Sequence, residues 1–167
     1  MEWPNKAFWV KAGISLAVIT MLGLGFQSRF RIGIDPQSTL SMIDRIFLVD
    51  IKDKKIERGQ NYVFAVRTNF PIYKDGTELV KRVVGMPGDL VSIDVNYNIK
   101  VNGVLVGKGL WHLKDLDQNV VRLRFVGARH LDTDEYWVMG YSEKSFDSRY
   151  FGAISADQIK GKAYGLF

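Results

Sequence analysis

A lysine within an apolar run is the residue of this chain whose setting most favours chemistry. Lys81 lies in the run Leu-Val-Lys-Arg-Val-Val over 79–84, which predicts a β-strand with Leu79, Lys81 and Val83 on one face. Burial disfavours a charged amine and lowers its pKa, so a buried Lys81 could accept a proton near neutral pH. Such an amine can activate a serine hydroxyl without histidine. The alternative interpretation is an edge strand whose cations face solvent.

Hydroxyl and charged groups that could complete such a site occur in two other segments. The segment 35–47 contains Ser38 and Ser41, the second in a Ser-Met dipeptide. The segment 140–152 contains Ser145, followed by Asp-Ser-Arg-Tyr-Phe-Gly over 147–152. A single serine is usually structural and a polar run is usually a loop, so the argument depends on the order of all three segments.

In that order the segments resemble the motifs of type I signal peptidases, membrane-bound proteases that use a serine and a lysine. Residues 81–89, Lys-Arg-Val-Val-Gly-Met-Pro-Gly-Asp, resemble the lysine-containing box of that family. Gly140 and residues 145–152 resemble its last motif. The resemblance covers roughly residues 8–165, although 95–135 match only in their general β character.

The resemblance implies roles for four residues. Lys81 would be the general base, and Ser145 would hydrogen-bond its amine and orient it. Asp147 and Arg149 would form an ion pair that supports the site. This chemistry requires neither a metal nor a cofactor.

The nucleophile has two candidates. Ser41 stands in the family's Ser-Met dipeptide, and Thr39 lies where family members often carry an oxyanion-hole hydroxyl. However, the proline that usually follows is missing, and the gap between Ser41 and Asp44 is short. An alignment anchored on Asp44 would move the nucleophile towards Ser38. We prefer Ser41 and keep Ser38 as the alternative.

The N-terminal segment differs from the rest of the chain because it is almost wholly apolar. Residues 8–26 contain one charged residue, Lys11, near one end. As a helix this segment spans roughly 28 Å, about the thickness of a bilayer core. A cleaved secretory signal and a buried core helix are the alternatives. We expect a membrane anchor over 1–30 and a peptidase domain over 31–167.

The remainder is typical of a mostly β domain, either barrel-like or built of paired antiparallel sheets, as in signal peptidases and self-cleaving repressor proteins. Asn102-Gly103 predicts a two-residue hairpin turn. Residues 156–161 predict a helical turn, and 27–40 a linker. The predicted strands cover 45–51, 60–68, 79–84, 90–95, 98–101, 120–125 and 136–139.

Composition excludes several classes of protein. There are no cysteines, so disulfides and thiolate metal sites are absent. The two histidines, His112 and His130, lack the spacing of metal ligands. The net charge is +5, but acidic and basic residues are interspersed, which argues against nucleic acid as a partner.

The resemblance, together with the apolar N-terminal segment, implies a membrane-anchored serine endopeptidase of the bacterial inner membrane, with its catalytic domain on the periplasmic side. Its partners would be a translocated precursor polypeptide, membrane lipid and conjugation or secretion machinery. The short nucleophile segment favours the conjugative branch of the family, which matures a pilin-like subunit. The alternatives are a signal peptidase of broad specificity and a non-catalytic assembly protein with a degenerate peptidase fold.

Overall fold

The computed structural model of the protein describes residues 5–35, 41–67 and 73–167 and shows two antiparallel sheets preceded by a long helix. The helices are α1 (Lys6–Gln27), α2 (Gln118–Phe125) and α3 (Ser148–Phe151). The strands are β1 (Phe30–Ile34), β2 (Ile46–Asp50), β3 (Asn61–Ala65), β4 (Glu78–Gly85), β5 (Leu90–Ile93), β6 (Asn98–Val101), β7 (Val104–Lys108), β8 (Gly127–His130), β9 (Glu135–Met139), β10 (Ile154–Ser155) and β11 (Ile159–Gly165). Short 3₁₀ turns lie at Trp111–Leu113 and Ala156–Gln158. The prediction of a mostly β domain is confirmed.

The larger sheet has seven strands in the order β1-β2-β11-β3-β4-β9-β10. In β4, Lys81 lies opposite Tyr62 of β3. The pairing of β4 with β9 begins one residue later, at Arg82. Lys81 therefore sits where β4 gains its second neighbour, with Leu79 and Val83 two positions away on the same face of the strand.

Side chains alternate across β4 as its sequence predicts. Leu79 and Val83 belong to a cluster that includes Tyr62 and Phe64, whereas Val80 packs against a second cluster on the opposite side. Burial of a side chain of this size contributes roughly 1.5–3 kcal/mol. The position of Lys81 between Leu79 and Val83 therefore puts its side chain on a strongly apolar face.

The smaller sheet has four strands in the order β7-β6-β5-β8. The predicted hairpin is confirmed, since β6 and β7 are joined by Asn102 and Gly103, both with positive φ (50° and 80°). The Asn102 amide also donates to the Asp89 carboxylate at 2.8 Å. The turn residues therefore bind the hairpin to the start of β5.

Several segments differ from the prediction, including the following three. Residues 118–125 form α2 rather than a strand, because the Asp117 carboxylate caps the Asn119 N–H and the helix buries Val121. Residues 159–165 form β11, and the predicted helical turn is limited to Ala156–Gln158. The predicted linker contains β1, which pairs along its whole length with β2.

Helix α1 is long and apolar enough to cross a membrane, and none of its residues is buried. Its N-terminus is capped by Asn5, whose side chain accepts a hydrogen bond from the Phe8 N–H at 3.0 Å. Just beyond the helix, Arg29 donates twice to Asp50, at 2.7 and 2.9 Å. The exposed apolar surface rules out the buried core helix that was one alternative.

Candidate active site

Ser41 and Lys81, 40 residues apart in sequence, meet in the interior of the fold. The Lys81 Nζ atom donates a hydrogen bond of 2.6 Å to Ser41 Oγ. Both residues are buried, with 5% and 3% of their surface exposed. A nucleophile and a base within this distance can exchange a proton directly.

The surroundings of Lys81 weaken its hold on a proton. Burial lowers the pKa of Lys81 from its usual 10.5 to about 8, and the positive charge of Arg149 acts in the same direction. The carboxylates of Asp147 and Asp35 oppose this shift. Desolvation is the largest effect, so a substantial fraction of the amine is neutral at mildly alkaline pH.

Ser41 is held in place by contacts on both sides. The next residue, Met42, is buried in the cluster that contains Phe47 and Val49. The Ser41 carbonyl accepts a hydrogen bond from the Tyr141 N–H at 2.8 Å and a longer one from the Ser142 N–H at 3.4 Å. The segment that follows β9 thus fixes the backbone of the candidate nucleophile.

Gly140 allows this close approach. A Cβ atom at this position would collide with the Ser41 carbonyl oxygen and with the Ser145 hydroxyl. The Gly140 N–H donates to the Asp147 carboxylate at 3.0 Å. A glycine here lets the segment after β9 pack closely against the backbone of Ser41.

Asp147 and Arg149 form the expected ion pair, which is bidentate and buried. The two hydrogen bonds from the guanidinium to the carboxylate are each 2.8 Å long. The remaining donors of Arg149 reach the backbone carbonyls of two loops at 3.0–3.4 Å. Those carbonyls belong to Lys108, Gly109, Ser142, Glu143 and Ser145. Arg149 therefore joins the end of β7 to the segment that holds Ser41.

The turn after β4 is stabilised by a residue that the sequence analysis missed. Arg58 binds the Asp89 carboxylate at 2.7 Å and donates to the Val84 carbonyl at 2.6 Å. Asp89 also accepts from the Met86 N–H at 2.6 Å. No local pattern marks Arg58, because its partners lie 26 and 31 residues further along the sequence.

The expected contacts of Ser145, Ser38 and Thr39 with Lys81 or Ser41 are either not formed or lie outside the described residues. Ser145 is buried beside Gly140, but its hydroxyl makes no hydrogen bond within the described residues, so the expected bond to the Lys81 amine is not formed. Ser38 and Thr39 lie outside the described residues. Their roles stay predictions.

An apolar groove of about 280 Å³ leads to the two candidate catalytic residues. One wall is formed by residues 31–35, and the other by residues 78–81 of β4 together with Thr77, which precedes the strand. Phe47, Val49 and Val63 form its floor. No group of three or more His, Asp or Glu side chains within the described ranges is arranged to hold a metal ion.

Comparisons with known proteins identify the family of this chain. The family model described as signal peptidase, peptidase S26, matches residues 6–167. A probable signal peptidase I-2 from Synechocystis is 25% identical over 99% of this chain and 76% of its own length. Signal peptidase IB from Staphylococcus aureus is 30% identical over 69% of this chain and 62% of its own length. A crystal structure of a signal peptidase I from Enterococcus faecalis V583 covers 68% of this chain and 97% of its own, at 22% identity and a TM-score of 0.42. The chain belongs to the peptidase S26 family of signal peptidases, which are serine endopeptidases.

Proposed function

We propose that this protein is a membrane-anchored endopeptidase that removes a leader from a translocated precursor, with Ser41 as nucleophile and Lys81 as general base. The observation that carries the proposal is the 2.6 Å distance between Lys81 Nζ and Ser41 Oγ in a buried setting. We assign the anchor to residues 1–30, which contain α1, and the peptidase domain to 31–167.

The proposed reaction needs these two groups and a water molecule. The neutral Lys81 amine takes the hydroxyl proton while Ser41 Oγ attacks the scissile carbonyl carbon. The resulting ammonium then gives that proton to the leaving amine as the carbon–nitrogen bond breaks. Lys81 next takes a proton from water, whose oxygen attacks the acyl-enzyme, and returns it to Ser41 as the new carboxyl end leaves.

Two neighbouring hydroxyl groups complete the proposed site. Thr39 would donate to the oxyanion together with the Ser41 N–H, and one such donor contributes roughly 2.7–4 kcal/mol in other hydrolases. Ser145 would orient the Lys81 amine. The position of Ser145 supports this role, because its buried hydroxyl lies against Gly140, and Gly140 lies against the Ser41 carbonyl.

The precursor would lie as an extended strand in the groove between residues 31–35 and 77–81. For its identity we retain two candidates. A pilin-like subunit of a conjugation system is favoured by the short segment between Ser41 and Asp44. A broad set of exported precursors is favoured by the names of the relatives, which are signal peptidases. For either substrate we propose that the protein lies in the bacterial inner membrane with its groove on the periplasmic side, close to conjugation or secretion machinery.

Three substitutions test the dyad. In cells or membranes that contain Ser41→Ala or Lys81→Met, we expect unprocessed precursor to accumulate, whereas Ser38→Ala should cleave normally. The measurement is the ratio of precursor to mature protein on immunoblots, at equal amounts of each variant. If the precursor is cleaved in the presence of Ser41→Ala but not of Ser38→Ala, the nucleophile is Ser38 and not Ser41. Normal processing of the precursor in cells that contain Lys81→Met would support the alternative in which this protein is a non-catalytic assembly protein.

The range of substrates is tested separately. Proteins with uncleaved N-termini can be identified by mass spectrometry in cells that lack this protein. A single pilin-like precursor would support the conjugative role. A varied set of exported proteins would support the broad signal peptidase.

A further inference from the structure

Arg82, which follows Lys81 in β4, is a half-buried cation whose hydrogen-bond donors are almost unused. Its side chain lies on the opposite face of the strand from Lys81, between the apolar clusters that contain Val80 and Val84. Within the described residues its guanidinium donates one hydrogen bond, a long one of 3.4 Å to the Tyr141 hydroxyl. The Nε atom is buried without a partner. A charged group that is so poorly satisfied indicates a site that a ligand completes.

Asn61 presents an unused acceptor beside Arg82. The two residues lie directly opposite one another in β3 and β4. Side chains at such positions are close enough to interact. The Oδ1 atom of Asn61 is buried and accepts no hydrogen bond within the described part of the chain. An unused donor and an unused acceptor at neighbouring positions form a polar site within an otherwise apolar face.

Tyr141 holds the guanidinium of Arg82 in a fixed place relative to the nucleophile. The Arg82 Cζ atom lies 4.4 Å from the centre of the Tyr141 ring, which is about half exposed. The backbone N–H of Tyr141 donates to the Ser41 carbonyl at 2.8 Å. Stacking on a ring leaves the edge of a guanidinium free, and that edge binds a carboxylate through two parallel hydrogen bonds.

The carboxylates of the segments that adjoin β4 have other partners. Their pairs are Asp89 with Arg58, Asp147 with Arg149, and Glu57 with Lys55 and Lys162. Glu143, two residues after Tyr141, is exposed and lies next to Lys144 in sequence, which offsets its charge. Among the described residues no carboxylate pairs with Arg82. The charge of Arg82 is therefore available to an external anion.

The pair of Arg82 and Tyr141 lies on the far side of Ser41 from the groove. The groove follows β4 from Thr77 to Lys81 and includes Ser41, but neither Arg82 nor Tyr141 lines it. Tyr141 instead lines a second cleft of about 330 Å³, between β7 and the end of β9 with the segment that follows it. A peptide longer than the groove would pass Arg82 as it leaves Ser41.

We infer that Arg82, held by Tyr141, binds an acidic side chain of the precursor just after the scissile bond. The inference rests on the function proposed above. The apolar groove suits the small residues that precede a leader cleavage site. The first residues of the mature protein then lie on the side of Arg82 and Tyr141.

The alternation of an extended chain indicates which mature residue meets Arg82. Small residues occur at the first and third positions before the cleavage site of a leader, and residues two apart share a face. If these two face the groove floor beside Val80, the next residue on that face is the second of the mature protein. Arg82 is likewise two positions beyond Val80 on the same face of β4. We therefore expect a preference for Asp or Glu at the second mature position.

Peptide binding to the full chain in detergent tests this inference without cleavage. The protein carries Ser41→Ala, and the probes are three fluorescent peptides with a leader end of Ala-Xaa-Ala and Ala at the first mature position. They differ only at the second mature position, which is Glu, Gln or Lys. We expect the Glu peptide to bind about tenfold more tightly than the Gln peptide, because a charge-assisted bidentate contact is lost, and the Lys peptide to bind most weakly.

Substitutions then assign the preference to Arg82. Arg82→Gln should abolish the preference for Glu over Gln and leave the affinity for the Gln peptide unchanged. Arg82→Lys should keep a smaller preference, because it retains the charge but not the planar fork. The matched control is Arg122→Gln, since Arg122 is an exposed residue of α2, and this variant loses the same charge and should keep the full preference.

Equal affinities for the Glu and Gln peptides with Arg82 intact would overturn the inference, as would no measurable binding of the Glu peptide. A preference for Glu that survives Arg82→Gln would do the same. With Ser41 restored, the peptides separate this inference from the proposed function. Binding that prefers Glu without any cleavage would contradict the peptidase activity alone, whereas cleavage without such a preference would contradict the role of Arg82 alone.

Discussion

The lysine at position 81 combines two properties that conflict in most proteins, since it is buried and yet forms no ion pair with any residue that the structure describes. Its partner is the neutral hydroxyl of Ser41, and the carboxylate of Asp147 is engaged by Arg149. Burial without a paired carboxylate is what brings its pKa to about 8. The proposed role of Lys81 as general base depends on this low pKa.

Cleavage should therefore follow the titration of Lys81. We expect kcat/KM to rise about tenfold per pH unit below the pKa and to level off above about pH 8, because the neutral amine is the active form. The measurement is the rate of cleavage of a peptide that spans the leader junction, in detergent between pH 6 and 10. A profile that is flat across this range would contradict Lys81 as the base.

The same burial of Lys81 should lower the free energy of unfolding of the protein. The pKa of Lys81 is lower in the folded protein than its usual 10.5, so the folded state binds fewer protons between about pH 8 and 10.5. The free energy of unfolding should rise with pH across that window. Below pH 8 the cost is fully present and amounts to about 3 kcal/mol, at 1.36 kcal/mol per pKa unit.

Lys81→Met should remove most of that cost. We expect the variant to be inactive and yet more stable than the native protein at pH 7, with the difference shrinking towards pH 10.5. Denaturant unfolding of both proteins in detergent, at several pH values, measures this. A destabilised Lys81→Met at pH 7 would show that the bond to Ser41 outweighs desolvation.

At the level of single residues, the sequence predicted much of the site. Lys81 stands out because charge interrupts an apolar strand, and Ser41, Asp147 and Arg149 are placed by motif. The structure brings all four together, although their catalytic roles stay predictions. The hydrogen bond expected from Ser145 to Lys81 is not formed among the described residues, and Arg58 was missed, because each contact depends on the approach of distant loops.

At the level of elements, the turn between β9 and α3 holds the backbone of Ser41 in place through hydrogen bonds to its carbonyl. Its central contact is the buried pair of Asp147 and Arg149, with 0% and 1% of their side-chain surface exposed. Removal of one partner leaves a buried charge without compensation, which is strongly destabilising.

Asp147→Asn should consequently lower the free energy of unfolding by about 3–5 kcal/mol. The matched control is Asp157→Asn, because Asp157 pairs with Arg67 at the surface, where both side chains are about 60% exposed. Asp157→Asn should lower the free energy of unfolding by no more than about 1 kcal/mol. Parallel denaturant titrations give the comparison, and equal losses in the two variants would refute a bracing role for the buried pair.

Secondary structure was predicted well where local pattern decides it and poorly where tertiary contacts do. The hairpin of β6 and β7 follows from Asn102-Gly103 alone. By contrast, 120–125 alternates like a strand but becomes helical once Asp117 caps it. β11 contains an interior glycine, Gly161, and two lysines, Lys160 and Lys162, which weaken any local strand signal, and it is ordered by pairing with β2 and β3.

At the level of the whole molecule, α1 exposes an apolar surface that the sheets do not cover. We expect the protein to stay in the membrane pellet after extraction with alkaline carbonate. Leu16→Arg combined with Ile19→Arg should release it, since each arginine at a helix centre costs about 3 kcal/mol of insertion free energy. Leu16→Ile with Ile19→Leu is the control. Retention of the double arginine variant in the pellet would argue against α1 as the anchor.

The order of strands in the larger sheet has a further consequence. β11 lies between β2, which follows Ser41, and β3, which pairs with the strand of Lys81. The two halves of the dyad reach their native separation only after a strand made much later by the ribosome has been inserted between them. We therefore expect a partly synthesised copy that lacks β11 to have no proteolytic activity. Premature cutting of neighbouring nascent chains, or of the protease itself, would then be delayed until synthesis is complete.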